Sequence, residues 1–335
     1  ILFIMKKLEL LCSASVVGKK RVLVTGGSGF IGCNVVEKLA KLGHDVIIYD
    51  RVPPKKWAID LDNQDHLPGN ISYRGGDTRN REDVFDAVMN SDYTLHLAGL
   101  LGTHETMFAI SETTECNVMG SLNVFEAIRM SGKKAAYITL GNDWENPYTI
   151  SKTCSARYAL MFNREFNTKI SVIRGLNVYG PKQKLFPIQK AIPTFIYKAI
   201  VGEDIPVFGD GQQIIDLVWI GDTSETLIRS LFMDIEKQYA TIIDAGTGVE
   251  TKLNDIVHSI IEMVGETEFN KGELSKIDYM PMRRGEPIRS RTLGNISSLT
   301  ELIDFVPAKD LNKGMKETID WYMEYREILM KDKTS

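Results

Sequence analysis

Cysteine is scarce in this sequence, and its cysteines form no paired motif. The 335 residues contain four, and no two of them have the spacing of a Cys-x-x-Cys pair. Zinc sites and disulfide frameworks need cysteines in such clusters, so the sequence argues against both. A reducing cytoplasm is the expected compartment. The four cysteines are Cys12, Cys33, Cys116 and Cys154.

An excess of positive charge is also missing. The chain carries 40 Lys and Arg against 44 Asp and Glu, a net charge of −4 at pH 7. A chain without excess positive charge does not attract a polyanion, so nucleic acid is excluded as the main partner. Hydrophobic residues make up 43% of the chain, which is enough to bury a sizeable core and excludes intrinsic disorder.

Long apolar runs are absent as well. The stretch 1–17 resembles a weak secretory signal, but Glu9 interrupts it and it is too short to cross a bilayer. We expect residues 1–19 to form an N-terminal tail with Met5 as the start, and no membrane partner is predicted. No internal repeat or low-complexity tract is present.

Strands alternate with helices through the first half of the chain. Apolar, β-branched runs at 21–25, 45–49 and 135–139 alternate with helical patterns such as those at 81–89 and 147–166. Such alternation is typical of parallel strands joined by right-handed crossovers, with helices on both faces. The predicted fold class is therefore α/β, with a doubly wound parallel sheet.

The pattern changes after residue 175. Prolines and glycines interrupt the chain to about residue 215, and the elements beyond are mixed. We expect a smaller, mixed second domain that is interleaved with the end of the first. The predicted division is 20–180 plus about 214–244 for the sheet domain, and 181–213 plus about 245–330 for the smaller domain.

A glycine array lies where the first strand meets the first helix. Residues 25–32 read TGGSGFIG, which places Gly26, Gly29 and Gly32 in a G-x-x-G-x-x-G pattern. The first glycine permits a tight turn, the second lets a pyrophosphate approach the helix N-terminus, and the third lets the helix pack close to the sheet. With a strand before it and a helix after it, the array predicts a Rossmann-type dinucleotide site. A glycine-rich turn in an unrelated α/β protein is the alternative.

Acidic residues follow the second and third strands. Asp50 is placed to accept hydrogen bonds from ribose hydroxyls and to repel a 2′-phosphate, which favours NAD over NADP. Arg51, Lys55 and Lys56 follow it and leave phosphate binding open as an alternative. Asp77 is placed to accept from the adenine amine or, alternatively, to cap the next helix.

Tyr148 and Lys152 form a Y-x-x-x-K pattern on a predicted helix, so both side chains project from one face. A nearby ammonium and a positively charged nicotinamide both favour phenolate. We therefore expect the pKa of Tyr148 to fall from about 10 toward neutrality. Tyrosinate then takes the proton of a substrate hydroxyl while a hydride moves to the cofactor.

Together these stretches resemble the extended short-chain dehydrogenase/reductase family, the NAD-dependent nucleotide-sugar epimerases and dehydratases. The resemblance runs from about residue 20 to residue 325. It implies a Rossmann domain that holds NAD and a smaller domain that holds a nucleotide-diphosphate sugar. Besides TGGSGFIG and PYTISK, it rests on HLAG (96–99), NVMG (117–120), RGLNVYGP (174–181), FGDG (208–211), DLVWIGD (216–222) and RRGE (283–286).

The resemblance also implies roles for single residues. Tyr148 is the base, Lys152 binds the nicotinamide ribose, and Asn177 contacts a substrate phosphate. Arg283 grips the diphosphate, with an ion pair to Glu286 as the alternative. The predicted cofactor-binding residues are Gly26, Gly29, Phe30, Ile31, Gly32, Asp50, Arg51, Asp77, Thr78, Leu97, Ala98, Gly99, Asn117 and Lys152.

The segment before Tyr148 departs from the family pattern because it is much shorter than usual. The position of the usual Ser or Thr falls on residue 140 or 141, which carry no hydroxyl. Thr139, Asn142 or Thr103 must take its place, and Thr139 is the predicted catalytic hydroxyl. The Asp-Glu pair that dehydratases place here is replaced by Asn142-Asp143, which argues against dehydration.

A family arginine that often binds the diphosphate is missing at 215–217, which reads I-D-L. We expect Lys182, Lys184 or Lys190 to supply the charge, although a lysine lacks the bidentate fork of arginine. His104 is a candidate acid–base group, with a solvated loop residue as the alternative. The predicted substrate-binding residues are Thr103, His104, Asn142, Asn177, Lys190 and Arg283, and no metal ligand is predicted.

The residues best support an NAD-dependent nucleotide-sugar epimerase that acts by transient oxidation of a sugar hydroxyl. One Tyr/Lys pair suffices for that cycle. The alternatives are a dehydratase or reductase acting on a related activated sugar or natural-product intermediate, and a non-catalytic dinucleotide-binding scaffold. Apolar residues on the helical patterns at 120–129 and 155–163 predict a homodimer interface, with core burial as the alternative.

Overall fold

The described part of the chain begins just before the first predicted strand. A computed structural model of the protein describes residues 18–267 and 274–331, so the predicted tail at 1–19 lies almost wholly outside the described residues. Among the described residues, no helix combines the length and the apolar composition that crossing a membrane requires.

Strands and helices alternate from residue 21 to residue 175, as the sequence pattern predicts. Aliphatic and β-branched residues form the strands, which are almost completely buried at the centre of the sheet. The elements are β1 (Arg21–Thr25), α1 (Phe30–Lys41), β2 (Asp45–Asp50), β3 (Ile71–Gly75), α2 (Arg81–Met89), β4 (Tyr93–His96), a 3₁₀ turn (Glu105–Phe108), α3 (Ile110–Thr114), a π-helical segment (Glu115–Met119), α4 (Gly120–Ser131), β5 (Lys134–Leu140), α5 (Pro147–Phe166) and β6 (Lys169–Gly175).

The remaining elements are shorter and more varied. They are β7 (Asn177–Tyr179), α6 (Ala191–Val201), β8 (Ile205–Phe208), β9 (Ile214–Ile215), β10 (Leu217–Trp219), α7 (Ile220–Phe232), a 3₁₀ turn (Glu236–Tyr239), β11 (Ile242–Ala245), β12 (Thr251–Lys252), α8 (Leu253–Gly265), β13 (Ile277–Met280), β14 (Arg291–Thr292), α9 (Ser297–Ile303) and α10 (Leu311–Lys331).

Seven parallel strands form the main sheet, in the order β11-β6-β5-β4-β1-β2-β3. This order confirms the predicted doubly wound α/β fold of Rossmann type. The direction of winding reverses between β1 and β4, and ligands of such sheets bind at the carboxyl ends of the strands where this happens. The glycine array follows β1 and the HLAG segment spans the end of β4, so both face that crevice.

Helices cover both faces of the sheet. On one face, side chains of α1 such as Val35 and Leu39 pack with Leu227 and Leu231 of α7. On the other face, residues of α2, α4 and α5 pack together, with Phe125 at the centre. A third apolar cluster lies among α6, α8 and α10, next to the parallel pair β8 and β13. The mixed C-terminal part is thus present, and the residue bounds of the two domains stay a prediction.

The helical pattern between residues 105 and 131 is divided in the structure. Its central turn, Glu115–Met119, is π-helical. Such a turn leaves backbone carbonyls without their usual helical partners. The carbonyl of Asn117 accepts instead from the hydroxyls of Ser121 and Ser155, at 2.5 and 2.8 Å.

Candidate functional site

The glycine array forms an open cradle at the start of α1. Gly29 is the residue at the N-cap, no side chain caps this helix end, and Phe30 and Ile31 open its first turn. Gly26 has φ +70°, and a Cβ there would lie 2.7 Å from the backbone of the loop after β4. A Cβ on Gly32 would lie 2.3 Å from the carbonyl oxygen of Gly26. Uncapped N–H groups and missing Cβ atoms are what a pyrophosphate needs here, so the cradle fits a dinucleotide.

Asp50 closes the far end of this cradle. Its Oδ2 accepts a hydrogen bond from the backbone N–H of Ser28 at 3.1 Å, and the hydroxyl of Ser28 donates to the carbonyl of Val52 at 2.7 Å. The carboxylate is thereby fixed at the end of β2, where a ribose would lie. Arg51, which follows it, is exposed.

Asp77 and Thr78 lie at the neighbouring strand end. Asp77 forms an ion pair with Arg79 at 2.6 Å, and these hydrogen bonds lower the pKa of Asp77. The helix-capping role that the sequence left open for Asp77 is filled by Asn80, whose side chain caps α2. Thr78 is buried, and its hydroxyl lies 2.5 Å from where a Cβ on Gly120 would be.

The segment after β4 runs beside Lys152. The N–H of Leu97 bonds to the last carbonyl of β1 at 3.0 Å, and the N–H of Ala98 bonds to the hydroxyl of the same β1 residue at 3.2 Å. A Cβ on Gly99 would lie 3.0 Å from Oδ1 of Asn117 and 3.7 Å from Nζ of Lys152. The structure therefore brings these five predicted cofactor residues together.

A buried polar network supports this segment from below. The ring of His96 bonds to the hydroxyl of Thr25 at 2.7 Å and to that of Ser121 at 2.9 Å. Burial lowers the pKa of His96 well below its ordinary value, so the ring is neutral at pH 7. Ser121 in turn donates to the carbonyl of Asn117. The network thus links β1 and β4 to the π-helical turn that carries Asn117.

The predicted catalytic pair lies on the first turns of α5. Asn146 caps this helix by accepting from the N–H of Thr149 at 2.9 Å, and Pro147 occupies its first turn. Tyr148 is therefore in the first turn, at the amino-terminal end of the helix. Lys152, one turn further in, is only 4% exposed, and its Nζ lies 4.3 Å from the centre of the Tyr137 ring.

Burial shifts both members of the pair toward their neutral forms. It raises the pKa of Tyr148 to about 12 and lowers that of Lys152 to about 7. The sequence-based expectation was a lowered pKa for Tyr148. The structure gives the opposite direction, because burial removes the phenol from water and so disfavours its charged form. A bound nicotinamide would add positive charge that favours the phenolate.

The three candidates for the missing family hydroxyl all have partners within the protein. Thr139 is buried and donates to the carbonyl of Lys152 at 3.2 Å. Oδ1 of Asn142 accepts from a threonine hydroxyl in the first turn of α5 at 2.8 Å. Thr103 donates to the carboxylate of Glu286. The catalytic role of Thr139 stays a prediction.

Arg283 lies in a loop that packs against the start of α5. Its guanidinium donates to Glu286 at 2.5 Å and lies over the Phe208 ring at 4.7 Å. The ion pair that the sequence left open as an alternative is therefore present. Glu286 also accepts from Thr103, and the side chain of Asn146 donates to a carbonyl of this loop at 2.9 Å. These contacts join the C-terminal loop to the catalytic helix.

The other predicted substrate residues occupy different surroundings. Nζ of Lys190 lies 5.9 Å from the centre of the Tyr148 ring. Nδ1 of His104 is buried and has no hydrogen-bond partner among the described residues. The amide of Asn177 donates to the carbonyl of Asp216 at 3.3 Å, so it is held by β10 rather than by the residues around Tyr148.

Sequence reasoning missed two residues and one contact at this site. Tyr137 contacts Lys152, Asn146 caps the catalytic helix, and Glu286 connects Arg283 to Thr103. The Asn-Pro pair before Tyr148 was a usable signal for the cap. Nothing local in the sequence indicates a contact between residues 103 and 286.

Comparisons with known proteins agree with this geometry. A family model described as "NAD dependent epimerase/dehydratase family" matches residues 22–239. The UDP-N-acetyl-alpha-D-glucosaminuronate decarboxylase of Bacillus cytotoxicus is 28% identical, over 91% of this chain and 98% of that protein. A dTDP-glucose 4,6-dehydratase of Xanthomonas campestris is also 28% identical, over 90% of this chain and 92% of that protein. The epimerase Mth375 of Methanothermobacter thermautotrophicus shares the fold, with a TM-score of 0.85 at 24% identity over 96% of this chain and 97% of that one.

Proposed function

The chain belongs to the NAD-dependent epimerase/dehydratase family, and from that membership we propose that it is a nucleotide-sugar epimerase in which Tyr148 is the base. The observation that carries the proposal is the position of Tyr148 in the first turn of α5, with Lys152 buried one turn further along the same helix. Relatives named as a decarboxylase and a dehydratase of nucleotide sugars support the substrate class.

The cofactor half of the cleft suits the NAD that this family uses. Backbone N–H groups at the start of α1 would bind the pyrophosphate, and Asp50 would accept from the adenosine ribose. Lys152 and Asn117 lie beside Gly99, where they would hold the nicotinamide ribose. When bound, NAD takes a hydride from the sugar carbon and returns it.

Tyr148 would move the proton in this cycle. Its pKa of about 12 in the protein alone leaves the phenol protonated at pH 7. A positively charged nicotinamide lowers that pKa, so base strength is gained when the oxidised cofactor is in place. The same oxygen then returns the proton when the hydroxyl is restored, and no second acid is needed.

The residues around Tyr148 favour epimerisation over dehydration. Loss of water requires an additional acid and base beside the reacting carbon. Asn142 is hydrogen-bonded to the first turn of α5, and Asp143 is exposed, so neither offers a carboxyl group inside the site. An epimerase needs only the tyrosine and lysine that the geometry provides.

Isotope transfer distinguishes the reactions. We expect UDP-glucose that carries deuterium at C4 to give a C4 epimer that retains the label at C4, because the hydride leaves and returns at one carbon. The product is identified by nuclear magnetic resonance. Label that moves to C6 with loss of water would contradict epimerisation, and the absence of any product from UDP-, dTDP-, GDP- and CDP-sugars would favour the scaffold.

We also propose that the protein is a homodimer through α4, α5 and the segment before them. Large apolar side chains are exposed along these helices of the single chain, which is the pattern of an interface rather than of a core. Met119, Tyr158 and Phe166 are 52%, 38% and 49% exposed.

A double substitution tests the dimer. Met119→Glu with Tyr158→Glu places charges on the exposed apolar surface, so we expect the dimer dissociation constant to rise by about 100-fold or more. Light scattering after size-exclusion chromatography measures the mass. The control is Val201→Glu, which changes an apolar residue 41% exposed at the end of α6 and should leave the dimer intact. A wild-type monomer at high concentration would refute the proposal.

A further inference from the structure

Lys190 is a cation beside the catalytic tyrosine. It is the residue at the N-cap of α6 and has an extended backbone, with φ −99° and ψ 150°. Its Nζ lies 5.9 Å from the centre of the Tyr148 ring, so the ammonium is at the reacting end of the cleft.

This ammonium has no anionic partner of its own. The side chain of Lys190 makes no hydrogen bond or ion pair with any residue in the described part of the chain. Burial lowers its pKa most, the carboxylate of Glu105 opposes that change, Arg283 lowers the pKa further, and Glu286 raises it least. Glu286 is already held by Arg283 and by Thr103. A partly buried cation in this position is stabilised by any anion that enters the cleft.

Other cations near the cleft differ from Lys190 in this respect. Lys182 is paired with Glu37 at 2.8 Å, and Arg174 is paired with Asp244 at 2.5 Å. Lys184 forms no ion pair in the described part of the chain, but its charge acts on the thiol of Cys33 in α1 and opposes the rise of its pKa. Among these cations, Lys190 is the one that adjoins Tyr148.

The location of Lys190 determines which part of the substrate it contacts. The reacting hydroxyl must contact the oxygen of Tyr148. For a reaction at C4, substituents on the flanking carbons lie nearer to the tyrosine than the diphosphate does, since the diphosphate is on the anomeric carbon across the ring. An ammonium beside the Tyr148 ring therefore meets a group attached next to the reacting carbon.

We infer that Lys190 binds a carboxylate on the sugar ring, so that the substrate class of this enzyme is a nucleotide-diphosphate uronate. This inference rests on the proposed function, because it takes Tyr148 as the base. Lys190 is then a specificity-determining residue, which distinguishes a carboxylate at C6 from the hydroxymethyl group of a neutral hexose.

The test compares two ligands that differ only at C6, UDP-glucuronate and UDP-glucose, with UDP as a third ligand. Their dissociation constants are measured by calorimetry on the NAD-loaded protein. We expect wild type to bind UDP-glucuronate about 10- to 100-fold more tightly than UDP-glucose. Lys190→Met removes that preference and leaves the affinities for UDP and UDP-glucose within about twofold, while Lys190→Arg keeps a preference for the uronate.

Lys198→Met is the matched control, because Lys198 lies on the same helix and pairs with Glu203. It should retain the full preference for UDP-glucuronate. If Lys190→Met lost affinity equally for all three ligands, the ammonium would lie at the diphosphate, and the inference would be overturned. Equal wild-type affinities, including no measurable binding of either sugar, would also overturn it.

The two proposals fail separately. Binding needs no turnover, so a uronate preference without epimerisation would contradict only the proposed reaction. Epimerisation of UDP-glucose with no effect of the carboxylate would contradict only the role of Lys190.

Discussion

Tyr148→Phe should lower kcat by about 10²- to 10⁴-fold while leaving the NAD content of the purified protein unchanged. Phenylalanine fills the same space but has no oxygen to exchange a proton with the sugar. Within the described residues, the hydroxyl of Tyr148 makes no hydrogen bond that the fold would lose. Turnover is measured with the preferred nucleotide sugar, and bound NAD by its release on denaturation.

Tyr325→Phe in α10 is the control for this substitution. Tyr325 stacks on Trp321 and takes no part in the proposed chemistry. Loss of its hydroxyl should therefore leave kcat unchanged. In wild type, kcat/KM should rise with pH as the phenolate fraction of Tyr148 grows, because burial raises the pKa of Tyr148 and the charge of bound NAD opposes that rise. Unchanged turnover in Tyr148→Phe would refute its assignment as the base.

Lys152→Met should abolish most of the activity and yet stabilise the protein freed of NAD. Burial lowers the pKa of Lys152 from 10.5 to about 7, a displacement that corresponds to about 5 kcal/mol of unfavourable charge burial. Between these two values the unfolded chain binds more protons than the folded one, so this lysine is most destabilising below pH 7, and the effect disappears above its unfolded pKa. Methionine carries no such penalty.

We expect Lys152→Met to raise the free energy of unfolding by about 2–3 kcal/mol at pH 6, because relaxation and the Tyr137 ring offset part of the penalty. The gain should decline as the pH is raised toward 10.5. Urea unfolding at several pH values measures it, with Lys198→Met as a control that shows no such trend. A variant less stable than wild type at pH 6, or equally stabilised at every pH, would contradict the charge-burial explanation.

Local patterns predicted the framework of this fold. The strand at 21–25 and the helices at 81–89 and 147–166 have the predicted bounds in the structure. Each is set by neighbouring residues, through strand-forming side chains or a helix cap. The helix at 191–201 was missed because of Pro193, which lies in its first turn, where a proline needs no helical hydrogen bond.

The features that the sequence could not predict depend on contacts between residues far apart in the chain. Strand β8 pairs with β13, about seventy residues further along the chain. Glu286 reaches Thr103 across a separation of 183 residues. The pKa of Tyr148 is raised rather than lowered, because its burial depends on how these segments pack. Spacing alone placed Tyr148 and Lys152 on one helix, but it did not give their environment.

Asn146 has a consequence for how substrate recognition and chemistry are coordinated. Its amide oxygen holds the first turn of α5, and its amide nitrogen holds the carbonyl of Gly285 in the Arg283 loop. We therefore expect a displacement of that loop to shift the backbone that carries Tyr148, because one side chain holds both. Ligand binding by the loop and alignment of the proton acceptor would then be coupled.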